Sequence, residues 1–159
     1  MRLTKNLNMK KIILFSIFLY SSIIVGQGAT LVPPENVVKA FENQYPNKKA
    51  IWDIEYSAKN DDVTFEAKFN KTPKTIAYAL YDKNGDFKAY KVQIEMSNLP
   101  KKAQAYMKAN YSVKSFKQSF SVKDSENKQT YESGVIKDSK FYNIIFNQDG
   151  EFYKRTQIR

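Results

Sequence analysis

The chain of 159 residues has no cysteine, no histidine, and only five glycines and five prolines. Without cysteine there are no disulfides, no thiol chemistry and no lipid-anchored lipoprotein, whose cleavage site needs that residue. Without histidine the commonest general base, phosphate-transfer nucleophile and zinc ligand are missing together. So few glycines, two of them at predicted hairpins, leave no glycine-rich phosphate loop. The longest apolar stretch, Ile12 to Val25, is 14 residues, short of the roughly 20 that span a bilayer as a helix.

That stretch follows MRLTKNLNMKK, which is basic and has no acidic residue, and it precedes the small residues of VGQGAT. The order is that of a secretory signal peptide over residues 1–28, with cleavage after Gly26, Gln27 or Gly28. Met9 is an equally good start, and an uncleaved N-terminal anchor is the alternative. No membrane span is expected once the leader is removed. Four of the 26 basic residues lie in the leader, so the rest carries 22 against 16 acids, a net +6 in place of the whole-chain +10. Acids are interleaved with lysines throughout, which reads as a mixed solvated surface, and no specific nucleic-acid partner is expected.

One pattern occurs twice. YDKNGDF (Tyr81 to Phe87) and FNQDGEF (Phe146 to Phe152) lie 65 residues apart, and PENVVKAFENQY (Pro34 to Tyr45) matches PKKAQAYMKANY (Pro100 to Tyr111) at an offset of 66. Two matching blocks with nearly one offset predict an internal duplication. Each copy begins with proline at an amphipathic helix: Val37, Val38, Phe41 and Tyr45 in the first, Ala103, Tyr106, Met107 and Tyr111 in the second. Ser97 or Asn98 is placed to cap the second helix.

Strand signals follow each helix. VTFEAKF alternates Val63, Phe65, Ala67 and Phe69 against Thr64, Glu66 and Lys68; AIWDIEY sets Trp52, Ile54 and Tyr56 on one face; SFKQSFSV sets Phe116, Phe120 and Val122 together. Asn84-Gly85 and Asp149-Gly150 supply the positive-φ residues of tight hairpin turns. A calcium loop fails on spacing, because from Asp82 the glycine arrives at position 4 instead of 6, and position 12 is Gln93. The expected fold class is therefore α+β: a tandem duplication of a helix followed by a four-stranded antiparallel sheet, the two units packed side by side. The first unit covers residues 29–96, with a helix over 34–45 and strands over 50–56, 62–69, 75–82 and 87–95. The second covers 97–159, with a helix over 99–110 and strands over 113–122, 129–137, 140–147 and 151–158.

The Pro34 helix, the Trp52 strand, the YDKNGDF hairpin, the second start at NLPKKAQAYMKANY and the closing FNQDGEF resemble the PepSY-like proteins of bacterial envelopes. These are similar in fold to the β-lactamase inhibitor protein, with its tandem helix-plus-four-strand repeats. The resemblance covers residues 33–159, rests on structural motifs, and implies a secreted or periplasmic protein that works by binding, with enzyme inhibition as one form. The strand QTYESGVIK departs from it by containing Gly134, which predicts a bulge or a close backbone approach.

Catalysis finds little support. The acid pairs Asp53/Glu55, Asp61/Asp62 and Asp124/Glu126 fall on a wet strand face or in polar loops, and two small sheets offer no deep cleft for a carboxylate pair. No enzyme, cofactor or metal is expected. The sequons at Asn70 and Asn110 read as turn chemistry. With 11 Tyr, 11 Phe and one Trp, the chain has more aromatic surface than its cores need. The sheet face opposite the helices is therefore expected to recognise an envelope or extracellular protein. Aromatics beside charge are the candidate contacts: Tyr90 with Lys91, Tyr142, and Tyr153 with Lys154 and Arg155. The alternative is a polyanion surface (acidic glycan, lipid headgroup or extracellular nucleic acid), on KFNKTPK and YKRTQIR. Intact-mass and N-terminal analysis of the exported protein should find Gln27, Gly28 or Ala29 first; a chain that keeps its basic N-terminus would be anchored instead.

Overall fold

The computed structural model describes residues 31–56 and 63–158. The predicted leader and its cleavage site, like Asp61 and Asp62, lie outside the described residues. Helix α1 (Glu35–Gln44) is followed by strands β1 (Ile51–Tyr56), β2 (Val63–Thr72), β3 (Thr75–Asp82) and β4 (Phe87–Ile94). Helix α2 (Lys101–Asn110), flanked by short 3₁₀ turns, leads into β5 (Phe116–Asp124), β6 (Gln129–Lys137), β7 (Lys140–Phe146) and β8 (Phe152–Ile158).

The expected pair of helix-plus-four-strand units is wrong. The protein is mostly one antiparallel sheet of eight strands in the order β1 to β8, with two short helices. What overturns the expectation is the edge of β4, which would have closed the first unit. It pairs with β5 over six residues, from Ala89 opposite Asp124 to Ile94 opposite Ser119. A second edge would have exposed a row of unpaired amides and carbonyls on each half, and the pairing removes both. Recurrence of the sequence blocks therefore does not delimit two sheets.

Each helix starts at proline for a simple reason: Pro34 and Pro100 hold φ near −54° and −53° with extended ψ, so they stand just outside the helix and their carbonyls open it. The Pro34 carbonyl accepts the amides of Val37 and Val38, and that of Pro100 accepts the amide of Gln104. Neither Ser97 nor Asn98 caps α2. They lie in the 3₁₀ turn Met96–Asn98, where Gln104 donates through Nε2 to the carbonyls of Ser97 and Leu99 at 2.9 and 2.7 Å.

Both helices cover the same face. Val37 and Phe41 of α1 bury against Phe65, Ala67, Phe69, Ala77, Ala79 and Tyr81, and the Phe41 ring meets Trp52 and Phe69 edge-on at 5.5 and 5.3 Å. Ala103 and Met107 of α2 bury against Val135, Ile144 and Phe146. Val92 packs on the first cluster and Ile94, two residues along the same strand, on the second, so the two form one continuous layer. Full burial of a side chain such as Phe41 contributes about 1.5–3 kcal/mol.

Three hairpins share one turn device. The Oδ1 atoms of Asp82, Asp124 and Asn147 each accept two amides, from the residues two and four further on, at 2.8–3.1 Å. The residue three further on takes the left-handed conformation: Gly85 (φ 82°), Asn127 (φ 64°) and Gly150 (φ 80°). These are three-residue loops ending in a left-handed residue, so Asn84 and Asp149 are not the positive-φ residues expected of two-residue turns. Such a two-residue pair occurs instead at Asp138 (φ 51°) and Ser139 (φ 60°), between the paired Lys137 and Lys140.

The two hairpin glycines also touch a helix start, which is why the two sequence blocks travel together. A Cβ on Gly85 would lie 3.0 Å from the Asn36 carbonyl oxygen, and one on Gly150 would lie 2.5 Å from Pro100 Cβ. Asn36 Nδ2 donates to the Lys83 carbonyl at 3.0 Å, and Lys102 pairs with Glu151 at 2.7 Å. Gly150→Ala should lose about 2–3 kcal/mol in urea denaturation, from strain plus the clash, and Gly85→Ala about 1–2 kcal/mol. Asn127→Gly, in the same backbone conformation with no glycine to replace, should stay within about 0.5 kcal/mol of the parent.

Candidate functional site

On the face without helices, the register aligns Glu66 and Leu80, Tyr78 and Lys91, Phe120 and Glu132, Asn143 and Thr156. Eight strands about 4.8 Å apart would spread a flat sheet over about 34 Å. Here one cleft of about 450 Å³ takes lining residues from all eight, from Asp53 on β1 through Phe120 on β5 to Ile158 on β8. The sheet is therefore curled, concave on this side, with the two edge strands reaching toward each other across the cleft.

Curling buries this face without a helix. Leu80, Phe120 and Val122 are all under 10% exposed. Phe120 meets Tyr78 edge-on at 5.5 Å. The alternation in the sequence set Phe120 and Val122 on one face with Phe116, and this fails because of a bulge. Phe116 pairs with Val135, but Ser119 pairs with Ser133, so one extra residue in β5 turns the alternation over. Ser119 and Ser133 then meet on the helix side, hydroxyl to hydroxyl at 2.9 Å, and Phe120 faces the cleft.

At the floor, Lys91 lies between two carboxylates, its Nζ 3.5 Å from Glu132 and 3.9 Å from Glu66. All three side chains are less than a quarter exposed. Asn143 Nδ2 donates to Glu132 at 3.0 Å. Burial, and then the negative charge of Glu66, push the Tyr78 phenol above its ordinary range, while Lys91 opposes them. Gly134 meets both expectations: it is the residue of β6 that faces the bulge in β5, between the pairs Phe116–Val135 and Ser119–Ser133, and a Cβ there would lie 2.7 Å from the tip of the Phe141 ring. Phe141 is paired across the sheet with Ile136 on one side and Ile158 on the other, and both isoleucines are about 40% exposed. The three make an apolar row at the rim of a polar cleft.

Of the six residues singled out from the sequence, Lys91 lines the cleft. Its neighbour Tyr90 points to the helix side, stacked on Tyr45 at 5.8 Å, its phenol raised by burial. Tyr142 packs against the second core cluster with the Arg155 guanidinium 4.9 Å above its ring. Tyr153 is 70% exposed on edge strand β8, with Lys154 Nζ 6.0 Å from its ring. In KFNKTPK, Lys68 Nζ lies 6.0 Å from the Tyr78 ring. The acid of Asp124 is committed to its hairpin. The cleft residues Glu66, Tyr78, Phe120, Glu132, Phe141 and Asn143 were not singled out. Alternation put Glu66 on the wet face, but nothing local says which wet faces a curled sheet brings together. Among the described residues no group of three acids is placed to hold a metal ion, and no helix is long and apolar enough to cross a membrane.

No family model and no curated protein matches the chain. Solved structures do, and they define its class: the chain has a BLIP-like fold. A BLIP-like protein from Bacteroides fragilis is similar at 17% identity, over 82% of this chain and 89% of that one, with a TM-score of 0.53. A DUF2874 family protein from Bacteroides uniformis is similar at 14% identity, over 79% of this chain and 90% of the other, with a TM-score of 0.58. A protein from Bacteroides eggerthii described as periplasmic reaches 0.59 at 16% identity, over 80% and 91%. At these identities the likeness is one of fold.

Lys91→Met should destabilise the protein by about 1–2 kcal/mol in urea denaturation, because it leaves Glu66 and Glu132 without the cation between them. Lys68→Met, which removes a lysine from an exposed position, should stay within about 0.5 kcal/mol.

Proposed function

We propose that this protein is a non-catalytic binding module of the bacterial envelope, exported to the periplasm or beyond it, which recognises another protein through the concave face of its sheet. The observation that carries the reading is the cleft to which all eight strands contribute, bordered by an apolar row in which the half-buried Phe141 lies between the exposed Ile136 and Ile158. A concave surface with an apolar anchor and a polar floor suits a protruding element of a folded partner. The BLIP-like and periplasmic descriptions of its structural neighbours support both the mode of action and the compartment. Kinship with PepSY-like proteins, carried by the paired proline and hairpin-glycine motifs, belongs to the same proposal. Lys91 lies within the contact, with Tyr153 and Lys154 at its margin on β8. If the partner is an enzyme, covering its surface with this face inhibits it.

The test is capture from envelope extract by the immobilised protein, eluted in rising salt. Ile136→Asp and Ile158→Asp change side chains already exposed, so the fold tolerates them; each should reduce the captured protein at least 10-fold, and Tyr153→Ala should reduce it less. A partner held equally by parent and both aspartate variants would remove the concave face from the proposal. Complete release at moderate salt would replace it with a polyanion surface.

A further inference from the structure

The concave-face reading leaves open what the cleft takes in, and the inference here rests on that reading. We infer that the cleft receives an arginine side chain from the partner protein, while the apolar residue beside that arginine packs on the row of Ile136, Phe141 and Ile158.

Size comes first. About 450 Å³ accommodates one or two side chains and not a helix or a strand, so a single inserted group occupies it. Charge decides the sign. Although the whole chain is net basic, the described residues of the cleft wall carry three carboxylates, Asp53, Glu66 and Glu132, against Lys91, with the Lys68 ammonium beside them at the Tyr78 ring. Lys91 already sits between two of the three, at 3.5 and 3.9 Å, so its charge is not on offer to an incoming anion. An incoming cation lowers the remaining negative potential, which is less screened than at the surface because the Glu66 and Glu132 side chains are less than a quarter exposed.

The aromatics choose between lysine and arginine. Tyr78 and Phe120 meet edge to face at 5.5 Å, and Phe141 lies over Gly134 from the neighbouring strand. Tyr78 already has the Lys68 ammonium 6.0 Å from its ring. A guanidinium stacks on ring faces, forks onto carboxylates and sheds water more readily than an ammonium does, so arginine fits a floor of carboxylates walled by rings. Asn143 holds Glu132 by one oxygen at 3.0 Å and so fixes the carboxylate that the fork would meet.

The test separates this inference from the reading beneath it. N-acetyl-arginine amide and its neutral isostere N-acetyl-citrulline amide are titrated into the purified protein, and side-chain NMR signals of Tyr78, Phe120, Phe141 and Asn143 are followed. The arginine compound should shift them saturably and at least 5-fold more tightly than citrulline, and Glu132→Gln, which keeps shape and the Asn143 bond, should remove most of that difference. Equal response to the two compounds, no saturable response to either, or tighter binding of N-acetyl-glutamate amide would each overturn the inference. In the capture experiment, Glu132→Gln should also weaken retention of the partner. Retention unchanged by Glu132→Gln but lost in Ile136→Asp would overturn the arginine while leaving the concave face in place.

Discussion

Six residue pairs between β4 and β5 hold this protein together in a way no single cluster does. On one side lie α1 and four strands, on the other α2 and four more, and each alone would be a thin layer with little to bury. Pairing Ala89–Ile94 with Ser119–Asp124 turns two marginal layers into one sheet and lets the core run unbroken beneath both helices. The same seam places Lys91 of β4 next to Val122 of β5, one strand from Glu132 of β6. The charged floor of the cleft therefore straddles the seam, and a site built there could not exist in either half alone.

The two faces of the sheet solve their burial differently. The covered face uses small residues where a helix presses closest, Ala67, Ala77 and Ala79 under α1, and aromatics around the margin, where Tyr45, Trp52 and Phe69 interlock with Phe41 and Tyr90 stacks on Tyr45. The concave face has no helix and relies on curvature, which crowds Leu80, Phe120 and Val122 together and encloses Lys91 with its carboxylates. The cleft residues thus stand on paired strands, with their positions set by ladder hydrogen bonds on both sides in all but β1 and β8. That stiffness suits the proposed recognition of a preformed partner surface, because little order would have to be gained on contact.

Local features were legible in the sequence because they depend on local chemistry. Proline followed by the spacing of Val37 and Phe41 gives a helix wherever it occurs, and the alternation in VTFEAKF gives a strand whose Phe65, Ala67 and Phe69 face a core. Two things were not legible. One is what happens at a strand's free edge: the pattern of β4 is the same whether its neighbour is solvent or β5, so the single sheet was missed. The other is which strand holds the extra residue: Gly134 on β6 marks the place, but the insertion lies opposite it in β5, between Phe116 and Ser119, where neither Lys117 nor Gln118 announces it, and it moves Phe120 from core to cleft. The hairpin at Asp124 escaped notice for a related reason: Asn127 does there what glycine does at Gly85 and Gly150. Of the residues that line the cleft, Lys91 was singled out from the sequence and the carboxylates beside it were not, because they come together only through curvature.

The strand order has one further consequence, for the time course of folding. Every strand pairs with the next along the chain, so six of the seven pairings close across short connections, and β4 to β5 spans only α2 and its flanking turns. Contact order is therefore low for a protein so rich in sheet, which places its folding nearer the fast end for β proteins than that of sandwiches with crossed connections. Hairpins form in microseconds, and the seam, with the longest loop among the described connections to close, is the pairing that costs the most chain entropy. The closure that completes the cleft is thus the slow one, and until it forms β4 and β5 are open edges, exposed to pairing with other chains on the way to their final place.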